Sequence, residues 1–133
     1  FNHIPIDMFA NGAGGYGAGT LCGSLAGAVN TIGLVCEPEA AKELTQELFA
    51  WYRSAELPIY QPKLESVTTV ANSVNCLESV GNYMEETGVA MGDDERKERC
   101  AGVTADVAKK TAELLNDYYA KLATETTEGT EEG

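Results

Sequence analysis

The chain has 133 residues, 44% of them hydrophobic, and a formal net charge of −12. This is sequence for one domain with a real core. Its 21 acidic against 9 basic side chains argue against nucleic acid, phosphate-rich ligands and anionic membrane surfaces as partners. No apolar run approaches the roughly 20 residues of a spanning helix, because Gly23, Ser24, Gly27, Asn30, Thr31 and Gly33 dilute the most apolar stretch.

The start at Phe1 rather than Met reads as a processed or truncated product. Residues 11–19 are rich in glycine, and Gly12-Ala13-Gly14-Gly15-Tyr16-Gly17 satisfies G-x-G-x-x-G. No strand pattern precedes it and no βαβ unit follows, so a dinucleotide site is not expected. The glycines are read as supplying positive φ angles or close backbone approach. The sharper alternative has backbone N–H groups around Gly14 and Gly15 facing the sulfides or thiolates of a bound cluster.

Cys22, Leu25, Val29, Ile32 and Cys36 follow at alternating spacings of three and four, which predicts a first helix with one apolar seam. Gly23, Gly27 and Gly33 cost this helix about 1 kcal/mol each relative to Ala. Small size must therefore serve there, for close packing or for a bulky group seated against Gly23. Pro38 opens a second helix through Ala41, Leu44, Leu48, Trp51 and Ala55. Pro58 and Pro62 make residues 57–63 an extended connector.

A third helix is expected over residues 65–87, ended by Gly88. The fourth, begun by Asp93, Asp94 and Glu95, carries Cys100, Val103, Val107, Thr111, Leu114, Tyr118 and Leu122. Arg96-Lys97-Glu98-Arg99, interrupted by acid, reads as a solvated helix start. The expectation is an all-α, four-helix bundle-like domain over residues 1–123 with no convincing strand, followed by a disordered acidic tail over 124–133.

His3 is the only histidine, so Ser–His–Asp catalysis has no second candidate base. Glu85-Glu86 and Asp93-Asp94 are adjacent along the chain rather than across a cleft, and read as solubilising. No substrate turnover is implied. The four cysteines are spaced by fourteen, forty and twenty-four residues, without a C-x-x-C pair. A thioredoxin-type motif and a zinc ribbon are thereby excluded. Inert buried thiols, disulfides, a thiol relay through Cys76 and Cys100, and a metal site of Cys22, Cys76, Cys100 and Cys36 stay open. On one unbroken helix Cys22 and Cys36 would stand about 21 Å apart. That makes Cys36 the least secure ligand.

Gly19-Thr20-Leu21-Cys22-Gly23-Ser24-Leu25-Ala26-Gly27-Ala28, Asn75-Cys76-Leu77-Glu78-Ser79-Val80 and Arg99-Cys100-Ala101-Gly102-Val103-Thr104-Ala105-Asp106-Val107-Ala108 resemble one family over residues 4–116. It is the split-Soret cytochrome group, with related redox-active proteins that carry a C-G-x-x-x-G signature. The resemblance implies a helical, periplasmic redox domain, with Cys22, Cys76 and Cys100 in the positions of the family's cysteines and an associated iron–sulfur centre. The split-Soret members also attach c-type haem through C-x-x-C-H. This chain has no such motif, carries Leu77 where a histidine is expected after the middle cysteine, and lacks the upstream cysteine. Cys36 either takes that cysteine's place or is unrelated to it. Haem could then enter only through residues outside this chain or through His3.

The expected function is electron transfer by an iron–sulfur cluster, [2Fe–2S] by the compactness of the bundle, with a protein redox partner. The alternatives are a thiol–disulfide redox protein and a structural or dimerisation domain of a c-type cytochrome. A glycine-rich segment that needs covering points to a homodimer.

Overall fold

The computed structural model describes residues 1–132, with side chains described through Glu125. Among the described residues the elements are four α-helices, α1 Gly23–Val35, α2 Pro38–Ser54, α3 Cys76–Thr87 and α4 Asp94–Glu132, and two short strands, β1 Glu56–Leu57 and β2 Thr69–Val70. A 3-10 segment, Ile6–Gly12, and a wide turn, Gly15–Gly19, precede them. The architecture is all-α, as expected from the sequence.

Helices α1, α2 and α4 pack mutually. Leu25 and Ile32 of α1, Leu44, Leu48 and Tyr52 of α2, and Val103, Val107 and Leu114 of α4 make the core, closed by Leu57 and Ala71. Each such aliphatic side chain contributes about 1.5–3 kcal/mol on burial. Pro38 stands at the start of α2, where its fixed φ suits the helix and its missing N–H removes no bond. The buried face of α2 runs through Tyr52, while Trp51 is half-buried. The Tyr52 hydroxyl donates to Ser79 Oγ at 2.8 Å, a partner that lets a phenol be enclosed completely.

The third helix is shorter than the expected 65–87. It begins at Cys76, and the β-branched stretch before it supplies β2, antiparallel to β1 with Glu56 opposite Val70 and Leu57 opposite Thr69. Asn72 then takes a left-handed φ of 55°, which a helix cannot accommodate. Asn82 of α3 donates to Val70 O and Ala71 O at 3.1 and 3.2 Å, holding this segment against the helix. Gly88 ends α3 in the left-handed region, its N–H bonded to Met84 O at 2.8 Å.

The connector after β1 lies across α4. Asp106 accepts from the N–H of Ile59 at 2.6 Å and of Tyr60 at 3.1 Å. A Cβ on Gly102 would collide with Tyr60 O and stand 3.0 Å from Pro58 Cβ, so this close crossing requires glycine. Helix α4 continues to Glu132, which makes residues 124–132 of the expected disordered tail helical in this structure; Gly133 lies outside the described residues. Extending an existing helix needs no new nucleus, and Glu is a good helix former. Among the described residues no helix is long and apolar enough to cross a membrane.

Candidate metal centre

Cys22 and Cys76 reach the same place through backbone pairing. Leu21 and Asn75 form an antiparallel bridge. Beside it the Cys22 N–H donates to Val74 O at 2.9 Å and the Cys76 N–H to Thr20 O at 2.7 Å. This clip sets the starts of α1 and α3 side by side, with Cys22 as the residue before α1 and Cys76 as the first of α3. Helix starts carry partial positive charge, which suits sulfur in its thiolate form. Cys100 comes from the second turn of α4. All three cysteines line one cavity of about 360 Å³.

The three expected glycines lie in its wall. Gly15 has a φ of +59°, and a Cβ there would stand 2.9 Å from Cys76 Cβ and overlap the Thr20 backbone. Thr20 closes this turn by donating from N at 3.3 Å and from Oγ1 at 2.8 Å to Gly15 O. A Cβ on Gly23 would meet Gly12 O at 2.5 Å, so α1 starts directly under the N-terminal segment. Gly14, at φ +66°, has no atom within 4 Å of where a Cβ would be.

One wall of the cavity is cationic. Arg96 Nη1 lies 3.7 Å and Arg99 Nη1 3.9 Å from Cys100 Sγ. Arg99 is only 2% exposed, which corrects the reading of 96–99 as a solvated helix start at that residue, while Lys97 is exposed as expected. Position 99 stands four residues before Val103 and eight before Val107, on the buried stripe of α4. That spacing was the available signal, and the charge of the side chain masked it. Arg99 Nη2 donates to Ser79 Oγ at 3.0 Å, and its guanidinium sits 5.5 Å from the centroid of the Tyr83 ring. Ser79 and Tyr52, also unforeseen, complete a buried polar network beneath the cysteines.

Burial raises the pKa of the Cys76 thiol, the nearby Cys22 and Cys100 add to the rise, and Arg96 and Arg99 oppose it. Burial also raises the pKa of the Tyr52 phenol, and Cys22 adds to that rise. These influences tie the three sulfurs and two arginines into one electrostatic unit.

Cys36 is elsewhere. It follows the last residue of α1, a helix about 20 Å long at 1.5 Å per residue, and packs partly buried against the core, where burial raises its thiol pKa. His3 is exposed and outside the cavity wall. All four cysteines are free thiols. Among the described residues no three His, Cys, Asp or Glu side chains are grouped tightly enough to hold a single metal ion. The cavity sulfurs thus surround a space rather than converge on a point.

Comparison with known proteins agrees with this architecture. The chain is 34% identical over 124 residues to split-Soret cytochrome c of Desulfovibrio desulfuricans, an alignment covering 87% of this chain and 44% of that protein. It thus spans less than half the length of this relative. A solved structure of the split-Soret cytochrome c from strain ATCC 27774, described as having a novel iron centre, superposes with a TM-score of 0.86 at 33% identity, over 90% of this chain and 53% of the other. The family model described as "Putative redox-active protein (C_GCAxxG_C_C)" matches residues 3–114, a span that contains all three cavity cysteines, and on that match the chain belongs to this family.

Proposed function

We propose that this protein is an electron-transfer domain that holds an iron–sulfur centre in the cavity of Cys22, Cys76 and Cys100. The observation that carries the reading is the meeting of three thiols from three separate elements in one cavity with a cationic wall. Thiolates are the usual ligands of such centres. The three thiols supply three of the four thiolates such a centre ordinarily takes, Cys36 lying outside the cavity wall, and Arg99 lines the same cavity as a countercharge. The iron centre described for the similar cytochrome supports the same assignment.

A sulfide-bridged [2Fe–2S] cluster is favoured over a lone ion, because bridged irons hold their thiolates farther apart than one tetrahedral metal does. That suits sulfurs distributed around a cavity. The bound centre would supply one-electron redox chemistry. The chain's part is to present three sulfurs from rigid helix starts, to exclude water with α3 and the glycine-rich turn, and to offset negative charge with Arg96 and Arg99. The redox partner would carry a basic docking face, matching a surface of net charge −12. Homodimerisation and periplasmic residence belong to the same proposal. Covalent haem attachment is not assigned to these residues.

The test is anaerobic reconstitution with ferrous iron and sulfide. Bound iron, acid-labile sulfide and broad visible absorption are expected, and are to be lost in Cys22→Ser, Cys76→Ser and Cys100→Ser. A protein that retains neither iron nor sulfide refutes the proposal. The rival reading, a thiol–disulfide relay through Cys76 and Cys100, draws on two free thiols that line one cavity. It predicts a colourless protein whose thiol count changes on reduction.

A further inference from the structure

We infer that Arg99 is the built-in countercharge of the centre and sets its reduction potential; this rests on the iron–sulfur reading above. A guanidinium at 2% exposure is costly to bury unless its charge is compensated. Among the described residues the groups that touch Arg99 are the Ser79 hydroxyl at 3.0 Å, the Cys100 sulfur at 3.9 Å and the face of Tyr83 at 5.5 Å, and none of them is a carboxylate. Among the described residues the Arg99 Nε has no hydrogen-bond partner. Such a cation, lining a cavity with three thiols, is matched by an anion in that cavity. A thiolate-ligated cluster is one.

The surrounding network holds the guanidinium in position. Tyr52 and Arg99 both donate to Ser79 Oγ, and Ser79 is fixed on α3 three residues after Cys76. These contacts hold the guanidinium beside Cys100. On reduction, one electron from an external one-electron donor adds one negative charge to the centre, and no bond in the chain forms or breaks. A buried positive charge beside a ligand sulfur favours the more negative state. Arg99 thus raises the potential, and it also stabilises the loaded protein relative to the metal-free one.

The experiment compares wild type, Arg99→Met and Arg99→Lys, each metal-free and reconstituted with iron and sulfide. The readouts are the thermal midpoint of both forms and the redox midpoint of the loaded form. In Arg99→Met the stabilisation gained on loading should shrink. Its redox midpoint should move negative by at least the equivalent of a tenfold change in the oxidised-to-reduced ratio, about 59 mV for one electron. Arg99→Lys, which keeps the charge, should fall between the two. A purely structural arginine would lower both thermal midpoints equally and leave the redox midpoint in place, and that result overturns the inference. If the Met variant does not fold, Ser79→Ala releases Nη2 while retaining the charge. It should shift the redox midpoint in the same direction by less, and an unchanged value overturns the inference equally. A wild type that binds no iron overturns the iron–sulfur reading and this inference together; a loaded wild type with an unmoved variant overturns this inference alone.

Discussion

At Gly15 the backbone turns left-handed where an added Cβ would overlap the Thr20 backbone and stand 2.9 Å from Cys76 Cβ. Gly15→Ala is therefore expected to cost about 1–3 kcal/mol, the range for a residue forced into a poorly populated backbone region. It should also impair metal uptake by moving Cys76, as denaturant melts and reconstitution stoichiometry would record. Cys36 makes the opposite case. It lies beyond α1 from the cavity, so Cys36→Ser should leave iron content and the visible spectrum unchanged. Its burial raises the folded-state pKa above the ordinary 9.0. A group raised in this way contributes stability below its unfolded pKa and loses it as pH rises through the folded value. Wild type should accordingly lose more stability above pH 9 than Cys36→Ser does, which chemical denaturation at stepped pH would measure.

Among the elements, α4 does most of the organising. One face packs the core through Val103, Val107 and Leu114, and the same face carries Arg99 to the cysteine cavity and Asp106 to the connector. Asp106→Ala would leave the Ile59 and Tyr60 N–H groups without their acceptor. Both bonds are part-buried, so water can reach the freed donors, and the expected loss is about 0.5–1.5 kcal/mol per bond. Asp106→Asn, which keeps one acceptor oxygen, should lose less, and urea melts of the two variants would decide it. The clip at Leu21 and Asn75 works on the same scale. It aligns two helix starts that are more than fifty residues apart in sequence, and it explains why Cys76 heads a helix instead of sitting midway along one.

For the whole molecule, the cavity is bounded by the N-terminal glycine segment and by α1, α3 and α4. A centre bound there ties together parts of the chain that are otherwise held by few contacts, and ligand binding to the native state stabilises it by mass action. Loading should raise the thermal midpoint, and chelation should lower it; an unchanged midpoint after complete iron removal would place the metal outside this cavity. Phe1, Ile6 and Met8 expose much of their apolar surface beside the glycine segment. A second copy covering them is expected, so light scattering should give twice the 14.1 kDa chain mass.

Legible in the sequence alone were the helical class, the core-side Leu25 and Ile32 of α1, the start of α2 at Pro38 and the stop of α3 at Gly88. Each of these depends on local periodicity or on capping chemistry. That residues before Cys76 pair as a strand, that Tyr52 rather than Trp51 is enclosed and that Arg99 is buried came from the folded chain. Those outcomes depend on partners distant in the chain, namely β1 for β2, Ser79 for Tyr52, and the cysteine cavity for Arg99. A charged side chain reads as solvent-facing until the fold supplies something to compensate it.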